Sequence, residues 1–363
     1  MNRRGRVGVT LAGVHAHQGC CGRTAGRQCG VERIELSRTL VKPVLQAQRP
    51  GELGSQHQLL LARRVGECVP DGWLSIVGLG LTHGGGWMGA RSVLVTGASS
   101  GIGEATMHEL VRRGFHVWAT VRRAQDADRL SEQHGERITV LRCDVTDAEQ
   151  VANVGEQVRR RGALHGLVNN AGTAIPAPLE FIPLDEFRRQ LDINLTGQLA
   201  VTQAVLPSLR EARGRVVNVG SIGDRIAGPM LGAYHASKFG LVGLTDTLRA
   251  ELAPAGIAVV LVEPGAIATP IWTTGAASGE RLLADLPREA LSHYAAQIDR
   301  TRKDAARAAK RGLPPSAVAV VITKALTVKN PRPRYLVGRD AQIASVVARL
   351  PYRLRYRLTA ARQ

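Results

Sequence analysis

Tyr234 and Lys238 stand four residues apart in the string YHASK, one helical turn, so a phenol and an ammonium share one helix face. A phenol ordinarily titrates near pH ~10, too high for efficient proton exchange at neutral pH, and a neighbouring cation favours its phenolate. Far upstream, TGASSGIG (96–103) carries glycines at 97, 101 and 103. Such a turn lets the backbone approach a pyrophosphate, whose charge is stabilised by the free N–H groups and dipole of the helix it opens. Alone, the first pattern is a surface i,i+4 pair and the second an ordinary strand-to-helix turn. Together they point to a proton donor held beside a bound dinucleotide.

Positioning these groups takes a particular scaffold. From Arg91 onward, short apolar runs at 93–95, 116–121, 138–143, 166–169, 215–219 and 257–262 alternate with amphipathic stretches at 102–113, 124–134, 147–161, 184–209 and 231–252. Near-continuous Val, Ile and Leu strands separated by helices predict a parallel sheet covered on both faces, a doubly wound α/β domain of Rossmann type. Its ligand crevice lies at the carboxyl ends of the strands. Beyond 266 the pattern weakens: a loop with one or two helices to 312, a helix over 314–327 with proline near its start, and a seventh strand at 334–338.

The spacing Thr-Gly-x-x-x-Gly-x-Gly resembles the classical short-chain dehydrogenase/reductase family, and the agreement continues for roughly 180 residues. NNAG (169–172) follows the fourth strand, Asp144 follows the third, and Asn194, Ser221, Tyr234 and Lys238 match the family's catalytic set. EPGAIATP (263–270) matches its nicotinamide-binding stretch. The resemblance implies hydride transfer between a nicotinamide cofactor and an alcohol or carbonyl. Tyr234 would be the acid/base, Lys238 would hold the nicotinamide ribose, Ser221 would bond the substrate oxygen and Asn194 would retain a water of the proton relay. The cofactor would contact Thr96, Gly97, Ser99, Ser100, Gly101, Ile102 and Gly103 in the first turn. Farther along it would meet Asp144 and Val145, then Asn170, Ala171 and Gly172, and at the nicotinamide end Pro264, Gly265, Ile267 and Thr269. Within the family, VWATVRR (117–123) and the long tail look most like retinol and hydroxysteroid dehydrogenases, which implies a lipophilic alcohol, ketone or aldehyde.

Cofactor choice turns on the end of the second strand. An acid there suits the ribose hydroxyls of NAD, whereas this chain has Arg122 and Arg123, and arginine suits a ribose phosphate. NADP(H) is expected over NAD(H), with Arg122 the main contact. His235 either lines the pocket entrance or sits on a helix surface. Ile271 and Trp272 supply an apolar lining where relatives fold over substrate.

The net charge of +18 is unevenly spread: residues 1–90 carry +6, residues 299–363 carry +13, and 91–298 are close to neutral at −1. With the basicity on the flanks and no aromatic-interleaved basic motif, no nucleic-acid partner is expected. Four of the five cysteines precede residue 70, so no disulfide framework supports the core and a reducing, cytoplasmic setting is expected. His15, His17, Cys20, Cys21 and Cys29 lack paired Cys-x-x-Cys spacing, and no metal is expected. Residues 1–87 read as an irregular arm ahead of a functional start near Met88, 88–340 as the catalytic domain, and 341–363 as a basic helical extension able to touch a membrane surface. No apolar run reaches the roughly 20 residues a membrane span needs. Two other classes remain open: a non-catalytic NADP(H)-binding sensor, and a sugar-nucleotide epimerase, which would show Thr-Gly-x-x-Gly-x-x-Gly spacing. Family habit implies a homodimer or homotetramer.

Overall fold

The computed structural model describes residues 91–360; the arm at 1–87, with its histidines and cysteines, and the expected start at Met88 lie outside the described residues. Seven strands form one parallel sheet: β1 (Ser92–Val95), β2 (His116–Val121), β3 (Ile138–Arg142), β4 (Gly166–Asn169), β5 (Arg215–Val219), β6 (Ala258–Pro264) and β7 (Arg334–Val337). Their spatial order is β3-β2-β1-β4-β5-β6-β7. The order reverses between β1 and β4, which leaves a crevice at their carboxyl ends.

Alternation along each strand sorts the core into two layers. Val93 and Val95 of β1, with Val117 and Ala119 of β2, pack under α1 (Gly101–Arg112), α2 (Ala124–His134) and, near the end of the chain, the helix Pro315–Thr327. Leu94 and Trp118 point the other way, toward α3 (Ala148–Arg161), α5 (Gly197–Ala212) and α6 (Gly232–Leu252). Side chains such as Leu110, Leu209 and Ile322 are wholly buried, each stabilising the fold by about 1.5–3 kcal/mol before entropy is counted. Asn169 and Asn218 sit in mid-sheet, yet Asn169 Nδ2 donates to Thr202 Oγ1 and Asn218 Oδ1, and Asn218 Nδ2 to Thr245 Oγ1, each at 2.9 Å. That chain of bonds pins β4 and β5 to α5 and α6, and pairing the buried amide N–H groups this way avoids a desolvation cost.

The single helix expected over 184–209 is broken. α4 (Leu184–Leu191) passes into a π-turn at Asp192–Thr196 before α5 begins. The sixth strand runs on to Pro264, because Glu263 and Pro264 pair with Leu336 and Val337 of β7. Past it come α7 (Ile271–Ala284), α8 (Arg288–Arg311), α9 (Pro315–Thr327), α10 (Arg339–Val347) and α11 (Tyr352–Ala360). Among the described residues, no helix is long and apolar enough to cross a membrane.

Candidate active site

The β1 turn is shaped for close approach. Gly97 adopts φ 64°, and a Cβ at Gly103 would stand 2.2 Å from the Gly97 carbonyl oxygen, so helix α1 begins where only a glycine fits. Asn170 Nδ2 donates to the carbonyls of Thr96 and Gly97, and Thr96 Oγ1 accepts from Asn170 N and Ala171 N at 2.9 and 3.0 Å. The β1 and β4 turns are thereby one rigid unit. Above it opens a cleft of about 790 Å³ lined by Ser99, Ser100, Gly101 and Ile102 at one turn, and by Asn170, Ala171 and Gly172 at the other. Arg122, Asp144 and Val145 line one end, and Pro264, Gly265, Ile267 and Thr269 line the cleft as well. Thr96 and Gly103 lie behind this wall, so they shape it and do not face the cleft. The size, the glycine turn and the helix start fit a dinucleotide.

Arg122 is exposed and, among the described residues, has no hydrogen-bond or ion-pair partner, whereas Arg123 is tied to Asp126 at 2.7 and 3.1 Å. Arg129 is likewise occupied, by Glu104 at 2.7 Å and the Ser99 carbonyl at 2.8 Å. Asp144 folds back, its Oδ1 accepting from Thr146 N and Oγ1.

Helix α6 brings Tyr234 and Lys238 to the cleft together with Ser221 from the β5 turn. Lys238 Nζ donates to the Val219 carbonyl at 2.8 Å and lies 5.8 Å from the centre of the Tyr234 ring. Burial brings the Lys238 ammonium down to about 8, against an opposing pull from Asp224. Burial pushes the Tyr234 phenol above its ordinary value, and a hydrogen bond with Ser221 opposes the rise. The ammonium beside the ring therefore does not by itself bring the phenol toward neutrality. Ser221 Oγ also accepts from Gly223 N at 3.1 Å, capping a short 3-10 turn at Ile222–Asp224.

Asn194 is wholly buried in the π-turn, its Oδ1 accepting from Thr173 N and its Nδ2 donating to Thr173 O and Ser237 Oγ. Both amide protons are spent, so the side chain holds the β4 loop to α6 and does not face the cleft. The π-turn that places it there is a common device at functional sites and was not legible as a periodicity. His235 also exceeds its expected role: its Nδ1 bonds the Gly223 carbonyl at 2.8 Å and its Nε2 accepts from Gly228 N at 3.1 Å.

A second chamber of about 250 Å³ opens beside the cleft and shares Ala174, Leu231, His235, Ile271 and Trp272 with it. Met230, Leu283 and Ile298 add apolar walls, while the ion pair between Glu280 and Arg302 lies at its rim. Met230 holds a left-handed φ of 67°, stabilised by the Ala177 N–H on its carbonyl at 2.7 Å. Helix α7 closes over this region with Gly275 and Gly279 against Ala174 and Pro176, and Trp272 Nε1 donates to the Ile267 carbonyl at 2.6 Å.

Sequence reasoning passed over one group altogether. Behind Ser221, Glu263 accepts paired bonds from Arg225 and Arg334, and Asp224 is buried against it. The four-residue pattern Ser-x-x-Asp at 221–224 was a readable cap signal; the partners, 38 and 71 residues from Glu263 in sequence, were not.

Comparison with known proteins agrees with this geometry. Residues 91–278 match the family model described as short chain dehydrogenase. The 3-amino-tetrahydro-pyrrolizinone reductase of Xenorhabdus hominickii is 36% identical over 263 residues, covering 70% of this chain and 89% of that protein. Retinol dehydrogenase 5 of Mus musculus is 37% identical over 262 residues, covering 69% and 81%. A solved short-chain dehydrogenase of Streptomyces avermitilis superposes with a TM-score of 0.61 at 30% identity, covering 75% of this chain and 97% of that one. The chain belongs to the short-chain dehydrogenase family. It is an NAD(P)-dependent oxidoreductase acting between CH–OH and C=O groups.

Proposed function

We propose that this chain interconverts a lipophilic alcohol and its ketone or aldehyde with NADP(H), Tyr234 acting as acid/base. The observation that carries the reading is the convergence of Tyr234, Lys238 and Ser221 on a dinucleotide-sized cleft beside an apolar chamber. When bound, the nicotinamide supplies or accepts the hydride. Ser221 orients the substrate oxygen, and Tyr234 gives that oxygen a proton in reduction or takes it in oxidation. Lys238, fixed on Val219, faces the nicotinamide ribose and keeps positive charge beside the phenol. Asn194 acts as a brace for the β4 loop. Trp272 and the closed α7 exclude water from the reacting carbon.

NADP(H) is favoured because Arg122 alone at the end of β2 is uncommitted among the described residues. The lipophilic substrate class rests on the chamber walls, and a relative named for retinol supports it. Leu184 and Phe239 are 65% and 45% exposed on the neighbouring helices α4 and α6, which favours a homodimer through that face. The test is NADPH oxidation against a panel of apolar ketones, aldehydes and quinones, repeated with Tyr234→Phe. Turnover that vanishes in the variant supports the reading; cofactor binding without turnover across the panel overturns it.

A further inference from the structure

We propose that Asp224 is a positioning residue of the hydride-transfer site: buried behind Ser221, it closes the Ser221 turn and sets that turn against Glu263 on the strand that ends at Pro264. This rests on the assignment of Tyr234 as acid/base. The Asp224 side chain is fully buried. Its Oδ2 lies 3.5 Å from the Ser221 N–H, and its own N–H donates to the Ser221 carbonyl at 3.0 Å, so the turn that aims the serine hydroxyl closes on this residue.

What surrounds Asp224 makes its charge consequential. Glu263, also fully buried, takes two bonds from Arg225 (2.5 and 2.9 Å) and two from Arg334 (2.8 and 2.7 Å). The same guanidinia come no nearer to Asp224 than 3.9 and 3.7 Å, and among the described residues its Oδ1 has no hydrogen-bond partner. Glu263 therefore holds the arginines, and Asp224 faces Glu263 as a second, poorly compensated carboxyl. Two buried carboxyls in contact resist joint ionisation. Burial and then Glu263 raise Asp224 well above the ordinary carboxyl range, while the two arginines hold Glu263 below it in spite of burial.

The charged groups packed against Asp224 are Arg225 beside it, Glu263 on β6 and Arg334 on β7, and its field reaches Tyr234 and Lys238 on α6. Asp340 of α10, which packs near the same turn, is committed to the Ala266 N–H at 2.6 Å. An ionised Asp224 opposes the Tyr234 phenolate and retains the Lys238 proton. A protonated Asp224 does neither, so this carboxyl sets how readily the phenol ionises.

The experiment titrates the full chain, without cofactor, by phenolate ultraviolet absorbance, with Tyr234 isolated by subtracting the Tyr234→Phe protein. Asp224→Asn keeps the shape and removes the charge, and the Tyr234 midpoint is expected to fall by about one pH unit. The basic limb of kcat/KM, which follows the Lys238 proton, should also move to lower pH because the charge that retains that proton is gone, which a purely structural role would not produce. Should Asp224→Asn fail to fold, Asp224→Ser, smaller and likewise uncharged, takes its place, with the same downward shift expected. A midpoint and pH profile superimposable on wild type overturn the proposal. If Tyr234→Phe retains full turnover, the acid/base assignment itself has failed; if turnover is lost but the charge-removed protein titrates as wild type, only the role of Asp224 has.

Discussion

The Lys238 ammonium donates to the Val219 carbonyl oxygen at 2.8 Å and, held there, lies 5.8 Å from the centre of the Tyr234 ring. One strand end thus fixes a cation that a helix then presents beside a phenol. Because burial brings Lys238 down to about 8, it is charged at neutral pH and loses its proton as pH rises through that value. In the reduction direction, kcat/KM should therefore decline above about pH 8. Tyr234→Phe should lower kcat by roughly 10²- to 10⁴-fold, the usual worth of a positioned acid/base. Lys238→Arg keeps a cation and should retain more activity than Lys238→Met. Steady-state profiles across pH 6 to 10 test all three, and a flat profile for the wild type argues against the pair.

Among the described residues, Arg122 is the cleft cation left uncommitted at the end of β2, since Arg123 is bonded to Asp126 and Arg129 to Glu104 and Ser99. Arg122→Ala should raise the Kd for NADPH by about 10- to 100-fold, the range expected for a charge-assisted bond. NADH binding should barely change. Fluorescence titration with both cofactors decides it: an equal loss for both would assign Arg122 no part in phosphate recognition.

His235 joins two loops, donating from Nδ1 to Gly223 O and accepting at Nε2 from Gly228 N, which requires a neutral imidazole. Burial lowers its titration below the ordinary histidine value, consistent with that state. Protonation would turn Nε2 into a second donor facing the Gly228 N–H and loosen the Gly228–Met230 wall of the apolar chamber. His235→Phe should thus raise KM by about 10-fold, the worth of one or two lost hydrogen bonds, with a much smaller effect on kcat. Kinetics that show the reverse split would place His235 in the chemistry.

The parts of this site written in contiguous residues were legible in advance. The 96–103 turn, the Tyr234 and Lys238 spacing and the succession of strands and helices along the chain all follow from local steric and periodic rules, and β1 to β7 fall within two residues of the apolar runs. What escaped was whatever depends on distant partners. Asn194 looks like a helix residue until Thr173 and Ser237 draw it into a π-turn. Thr96 looks like a cofactor contact until Asn170 and Ala171 claim its hydroxyl. Glu263 seemed only to precede Pro264, because nothing in its vicinity announces Arg334, which arrives 71 residues later on β7.

His116 opens β2 at 2% exposure, bonded through Nε2 to Thr139 Oγ1 at 2.9 Å and edge-on to Trp118 at 5.8 Å. Burial, with a smaller contribution from Arg161, lowers it to about 4. Its folded value lies below the unfolded one of about 6.5, so between those limits the unfolded chain binds more protons. The stability involved is present above pH ~6.5 and lost as pH falls toward 4, amounting to about 2–3 kcal/mol. Urea midpoints measured from pH 7 to 4 should fall for the wild type and fall less steeply for His116→Gln. Equal slopes in the two proteins would show that acid sensitivity originates elsewhere, for example in Glu263, whose lowered carboxyl has the same sign, and not in Asp224, which is raised on folding and contributes the opposite sign over that interval.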